Sequence, residues 1–375
     1  MSDPILTVRD LDVRFATKRG MAHVVRGLDY DLHAGETLAI VGESGSGKSV
    51  STLAMTKLLP MPPGQVRGRI HLGDTDLVQL SERQLLRYRG ERIAYIFQDP
   101  MTSLNPVHPI GRQITESMRF HLDLSESEIR DRAIDLLYKV GIPGAEKRLD
   151  DYPHQFSGGM RQRVVIAIGL SCDPEVLIAD EATTALDVTT QAQIVELIGR
   201  LQDDLGMGVV WITHDLGVVA GIADRVLVMY AGQVVEAAGV ADLYDQPRHP
   251  YTVGLMRSIP LLGDLERHDL ATIPGLPPAP TALPPGCAFH PRCTFRDDAR
   301  CADEVPPLIE VAPGHHVRSF YEVPEEVGRA ASAEARISLQ PPDAGSDTAD
   351  DAGSGTSRDP GADPGSDAGS SEVPR

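Results

Sequence analysis

The sequence predicts an α/β fold organised on a parallel sheet, and three observations carry that prediction. The stretch Gly42-Glu43-Ser44-Gly45-Ser46-Gly47-Lys48-Ser49 stands between an apolar run, Leu38-Ala39-Ile40-Val41, and a segment with helical texture, Val50-Ser51-Thr52-Leu53-Ala54. A second apolar run, Val176-Leu177-Ile178-Ala179, ends in Asp180-Glu181, and a third, Val209-Val210-Trp211-Ile212-Thr213, ends in His214-Asp215. Short unbroken apolar strands suit a sheet covered on both faces, and polar groups at their carboxyl ends fall where such sheets bind ligands.

The chain opens with Ile5-Leu6-Thr7-Val8-Arg9 and Leu11-Asp12-Val13-Arg14-Phe15, which alternate apolar and polar residues as half-buried strands do; Val24 to Leu32 repeats the pattern. An antiparallel β layer beside a ligand site follows from this. Phe15 is a candidate face for stacking an adenine, and as a pattern it is equally an ordinary core aromatic.

The glycine-rich stretch reads as strand, loop and helix. Gly42, Gly45 and Gly47 let successive N–H groups, with Ser44 among them, curl around an anion; Lys48 can reach outer phosphates and Ser49 can set its hydroxyl on magnesium. The helix that opens there adds the positive end of its dipole. A nucleotide and magnesium are therefore the expected ligands; the same loop serves GTPases, kinases, motors and transporter ATPases. Further strands are expected at residues 69–72 and 93–97, the latter ending on Gln98, whose amide could touch magnesium or an attacking water.

From about 100 to 172 the texture becomes that of an inserted helical subdomain. Ser125 and Glu128 have capping-box spacing, Ile129, Ala133, Leu136, Leu137 and Val140 form a stripe, and Gly141 sits where a helix should stop. Ser157-Gly158-Gly159 then opens another helix and makes a second anion cap, one more than a single nucleotide needs. Asp180 is placed to hold magnesium and Glu181 to polarise water. Asp187 precedes a helix bearing Ile194, Leu197, Ile198, Leu201 and Leu205, and His214 ends a core strand from which it could contact a terminal phosphate.

Composition narrows the function further. The chain of 375 residues carries a formal charge of −19, which argues against a broad nucleic-acid footprint. Residues 341–375 hold seven Asp and one Glu against two Arg, so part of that charge belongs to a solvated tail. No leader and no run long enough to span a membrane is seen, and a cytosolic protein is expected. Of four cysteines, Cys172 sits in an apolar stretch as a small core residue, while Cys287, Cys293 and Cys301 crowd one segment and point to metal over disulfides in a reducing compartment.

In this order the phosphate loop, Gln98, Ser157-Gly158-Gly159, Asp180-Glu181, Asp187 and His214 resemble the nucleotide-binding subunit of ATP-binding cassette (ABC) transporters. The resemblance implies a cassette at 1–245 with a RecA-like core. It makes Gln98 the Q-loop residue, Ser157 to Met160 the signature, Glu181 the catalytic carboxylate, Asp187 the D-loop residue and His214 the switch histidine. It also implies that the signature serves the ATP of a second, identical or homologous, ATPase subunit. His154 to Arg163, Arg248-His249-Pro250-Tyr251-Thr252 and Cys287-Ala288-Phe289-His290-Pro291-Arg292-Cys293 resemble the dipeptide, oligopeptide and nickel importer branch. Two membrane permease subunits, an extracytoplasmic substrate-binding protein and a place at the cytoplasmic face of the membrane are implied with it. Ala182 departs from the proline, and Ser319 from the cysteine, that the branch usually carries.

A small C-terminal cysteine-containing extension is expected at 246–324 and a disordered acidic tail at 325–375. The branch implies a structural iron–sulfur cluster on Cys287, Cys293 and Cys301, with His290, His315, His316 or Ser319 nearby. The competing reading is three plain thiols. Three functional rivals stand beside peptide import: the same cassette energising a nickel importer, a soluble cassette acting without membrane partners in translation or DNA repair, and a module that holds nucleotide without turnover. One cassette, no coiled-coil insertion, and the presence of Glu181 and His214 favour the importer.

Overall fold

The structure, a computed structural model, describes residues 3–184, 186–259, 272–295, 298–321 and 323–339. Strand β1 (Leu6–Thr17) pairs antiparallel with β2 (Gly20–Leu32) and β4 (Gly64–Leu72), and β5 (Thr75–Asp76) completes a layer ordered β2-β1-β4-β5. Leu6, Val8, Leu11 and Val13 are its buried row. Their alternation resets at Asp10, where a φ of 49° and a register shift form a bulge that keeps the apolar side inward.

The main sheet joins β3 (Thr37–Val41), β6 (Ile93–Ile96), β7 (Val176–Asp180), β8 (Gly208–Thr213), β9 (Arg225–Tyr230), β10 (Gln233–Gly239), β11 (Ile309–Ala312) and β12 (His315–Val317). Among the described residues its order is β11-β12-β10-β9-β3-β8-β7-β6, parallel from β9 to β6 and antiparallel beyond. Every residue of β3, β7 and β8 is buried because alternate side chains enter two different cores. Leu177, Ala179, Val209 and Trp211 join the helical side, while Val176, Ile178, Val210 and Ile212 join the core under the antiparallel layer.

On the helical side, Ile110–His121, Glu126–Lys139 and Gly158–Gly169 pack together over the first core. Ser125 and Glu128 form the expected capping box, and Gly141 follows with φ 79°. Cys172 is buried, as its apolar context suggests.

The C-terminal part is built onto the cassette's own sheet. β12 pairs with β10, with Glu236 opposite Val317, and the helix Pro250–Arg257 lies against the helix Glu325–Leu339 over a third core. That last helix corrects the expectation of disorder from 325. Val327, Ala331 and Ala335 recur every four residues and pack inward, a stripe that the Gly-, Ser- and Asp-rich composition further along conceals. The part of the tail reading that falls on residues 340–375 lies outside the described residues. Among the described residues, no helix is long and apolar enough to cross a membrane.

Candidate nucleotide site

The phosphate loop leaves β3 and ends at the N-terminus of the helix Lys48–Met55. Gly42 has φ 149°, and a Cβ there would sit 2.2 Å from the Met229 carbonyl, so no side chain fits where the loop turns. Lys48 is buried and folds back, donating from Nζ to the carbonyls of Gly42 at 2.7 Å and Glu43 at 3.1 Å. Burial holds its ammonium below the usual value, against the pull of Glu181, Asp180 and Glu43. Ser46 Oγ is buried with no hydrogen-bond partner. A buried hydroxyl with no protein partner beside a curled loop suits the oxygen of an anion.

Strands β6, β7 and β8 deliver the other groups to the same edge. Ser49 Oγ donates to Asp180 Oδ1 at 2.9 Å, and Tyr95 Oη donates to Asp180 Oδ2 at 3.0 Å. Burial pushes the Asp180 carboxyl up, partly offset by these two bonds. Gln98 Nε2 donates to Glu181 Oε2 at 2.8 Å, and His214 Nδ1 lies 3.3 Å from Glu181 Oε1. Glu181 has a φ of 49°, an uncommon conformation for a side chain of this size, held by its N–H on the Ile212 carbonyl at 2.8 Å. A hydroxyl and a carboxylate in contact, with an amide alongside, are oxygen donors suited to magnesium once phosphates and water complete its shell.

Five expected residues stand apart from this group. Ser157 caps its own helix, accepting from the Met160 N–H at 3.3 Å, and Gly159 lies against Thr190, whose methyl would be 2.9 Å from a Cβ there. Asp187 caps the next helix through the Thr190 N–H at 3.0 Å, so Gly159 and Asp187 meet at Thr190. Gly158 has open space around it. Phe15 is half-buried, packed against the core of the antiparallel layer with its ring beside Gly64, and does not line the cavity at the phosphate loop, which His23, Val24, Tyr230 and Pro277 do.

The cysteines do not assemble a cluster site. Among the described residues no group of three or more His, Cys, Asp or Glu side chains converges on a metal position. Burial pushes the Cys287 and Cys301 thiols up in the metal-free chain. Two of the supplementary ligands are committed elsewhere: Ser319 Oγ donates to the Tyr321 carbonyl at 2.8 Å, and His315 Nε2 is 2.7 Å from Glu236 Oε1. As placed, the described residues do not converge on a site for an iron–sulfur cluster, so the expectation finds no support here.

The profile of the ABC transporter family matches residues 25–184, and that of the oligopeptide/dipeptide transporter C-terminal region matches 235–301. The oligopeptide transport ATP-binding protein OppD of Bacillus subtilis (strain 168) is 51% identical over 322 residues, covering 86% of this chain and 90% of that protein. The chain belongs to the ABC transporter family. Among solved structures, the ATP-binding cassette MJ0796 in a dimeric post-hydrolysis state with ADP and Pi is similar, at a TM-score of 0.56 and 26% identity over 63% of this chain and 98% of that one. Another is cbiO1 from Clostridium perfringens, part of the ABC transporter complex cbiONQ, at 0.56 and 30% over 65% and 91%. These cassettes are matched almost whole, so the remaining third or more of this ABC chain is additional to them.

Sequence reasoning passed over three contributors to the cassette's site. Tyr95 was legible only as one residue of an apolar run; an aromatic hydroxyl at the end of a strand leading to Gln98 was the available signal. Arg292 and Tyr251 sit in the motifs that marked the branch, but nothing in their spacing showed that they reach the phosphate loop.

Proposed function

We propose that the chain is the ATP-hydrolysing subunit of an ABC importer of di- and oligopeptides. It works with a second ATPase subunit beneath two permease subunits, at the cytoplasmic face of the membrane, with an extracytoplasmic protein delivering the substrate. The observation that carries this reading is the inequality of its two anion caps. The phosphate loop has carboxylates, an amide and a histidine around it, whereas among the described residues the Ser157 cap has only its own helix and Thr190. A head-to-tail pair of subunits gives each phosphate loop the other's Ser157. The names of the relatives and the match of residues 235–301 support peptide import over other cargo.

In this mechanism Lys48 leaves the Gly42 and Glu43 carbonyls for the outer phosphates of ATP, and the Ser46 hydroxyl and loop N–H groups take up phosphate oxygens. Water forms a bond to the γ-phosphorus as the bond to the bridging β–γ oxygen breaks; ADP leaves, and a water proton moves toward Glu181. Gln98 and His214 hold that carboxylate in place. Ser49, Asp180 and the Gln98 amide would hold magnesium, which supplies neutralising charge for the phosphates. Positioning and electrostatics then account for most of the acceleration.

The test is uptake by the isolated complex of labelled dipeptide, hexapeptide and nickel, with Glu181→Gln as the inactive control. ATP-dependent peptide uptake is expected. Nickel uptake alone would overturn the peptide assignment, and recovery of the chain with ribosomes in place of membranes would overturn transport.

A further inference from the structure

The phosphate loop is held from outside the cassette at one residue, Glu43. Arg292, from the 3-10 turn His290–Arg292, forms a two-pronged ion pair with it: Nη1 to Oε2 at 2.6 Å and Nη2 to Oε1 at 2.9 Å. The Arg292 side chain is only 4% exposed, and all of its N–H groups are engaged. Nε donates to the Pro274 carbonyl at 2.9 Å, Nη2 also to the Ile273 carbonyl at 3.3 Å, and Nη1 also to Tyr230 Oη at 3.4 Å. A guanidinium fixed by five donors is a rigid fork, a geometry lysine cannot reproduce.

The rest of Glu43 is held as well. Its N–H donates to Tyr251 Oη at 2.8 Å, and Tyr251 lies on the helix Pro250–Arg257. Its carbonyl accepts from Lys48 Nζ at 3.1 Å and from the Ser46 N–H at 3.2 Å. Glu43 thus joins the lysine and the orphan serine of the loop to two side chains of the C-terminal extension. The same extension lines the cavity on the loop's outer side with Pro277, Pro278, Pro280 and Leu283, and the Pro280 carbonyl accepts from the His23 N–H at 2.9 Å.

We propose that Arg292 is a positioning residue for nucleotide binding: through Glu43, and with Tyr251, the extension holds the phosphate loop in the shape that receives ATP. Loop residues free to rearrange would have to be ordered at the moment of binding, which weakens affinity without altering the groups that act on the γ-phosphate. The consequence is a higher KM for ATP with kcat kept. This rests on the reading that the loop binds ATP.

The test uses the full-length chain, with calorimetric titration of magnesium-ADP and steady-state ATP hydrolysis. Arg292→Met and Glu43→Gln are each expected to weaken ADP binding and raise KM about tenfold, with kcat within twofold of wild type. The double variant should be no weaker than either single one, since both break the same pair, and Arg292→Lys should recover part of the loss. Wild-type protein that binds no nucleotide ends both this proposal and the ATPase reading. If wild type binds and both single variants match it within twofold, the proposal alone is overturned. It is also overturned if Arg292→Met loses affinity only together with its thermal transition while Glu43→Gln binds as wild type, because Arg292 would then serve the fold and not the loop.

Discussion

Gln98 Nε2 donates to Glu181 Oε2 at 2.8 Å, so the ends of β6 and β7 are tied together by an amide and a carboxylate that lie 83 residues apart in sequence. With His214 Nδ1 on the other carboxylate oxygen at 3.3 Å, Glu181 is oriented from two neighbouring strands. Replacing Glu181 by Gln keeps the shape and both neighbours but removes the base. Hydrolysis is expected to fall by at least about a hundredfold with ADP affinity unchanged. Steady-state turnover within a few-fold of wild type would falsify the role given to Glu181.

The two anion caps separate by mutation. Lys48→Ala should lose nucleotide affinity in the single chain, because its ammonium is the only one at the loop among the described residues that bonds the loop backbone. Ser157→Arg should leave that affinity nearly unchanged and abolish ATP-driven pairing of chains, since Ser157 bonds Met160 of its own helix and, among the described residues, no hydrogen bond ties it to the phosphate loop. Titration calorimetry and size-exclusion chromatography with ATP read the two effects; equal loss of affinity in both variants would sink the shared site.

Glu236 is fully buried and accepts from the Arg248 N–H at 2.7 Å, the His249 N–H at 2.9 Å and, with His315 Nε2 protonated, from that ring at 2.7 Å. One carboxylate therefore fastens the helix that carries Tyr251 and the strand β12 to the cassette sheet. Glu236→Ala strands these donors in the interior and should cost about 3 kcal/mol or more in denaturant unfolding. A loss under about 1 kcal/mol would mean that the extension is held chiefly by its apolar contacts.

His249 caps the helix Pro250–Arg257 by accepting the Tyr251 N–H on Nδ1 at 3.0 Å, and burial pulls its pKa down from 6.5 to about 4. The unfolded chain therefore binds a proton that the folded chain refuses as pH falls from 6.5 toward 4. Stability is whole above pH 6.5 and declines across that window, by roughly 3 kcal/mol at the bottom. His249→Asn keeps a capping acceptor and removes the titration, so its unfolding free energy should depend less steeply on pH there. Parallel pH profiles for the two proteins would assign the acid sensitivity to other groups.

Residues adjacent in the chain made the catalytic half of this protein legible. A loop that must curl around phosphate needs glycines and a lysine at fixed spacing, and parallel strands covered on both faces must be apolar until they reach the edge, where Asp180, Glu181 and His214 appear. Local pattern also showed the capping box at Ser125 and the alternation of the antiparallel layer. What it could not show is which distant groups meet. Arg292 and Glu43 are 249 residues apart and pair because β12 joins β10 and brings the extension against the loop. Tyr95 reaches Asp180 only because β6 lies beside β7. The three cysteines look like a ligand set in sequence, yet in the fold they do not converge as a group of three, although the Cys287 N–H donates to the Cys301 carbonyl. The helix Glu325–Leu339 likewise exists by virtue of its partner: Val327, Ala331 and Ala335 have a stripe to bury only where the helix Pro250–Arg257 offers a surface. Short-range sterics and solvation act within a few residues and are written in the sequence, whereas ion pairing and burial across the fold depend on where the chain returns in space.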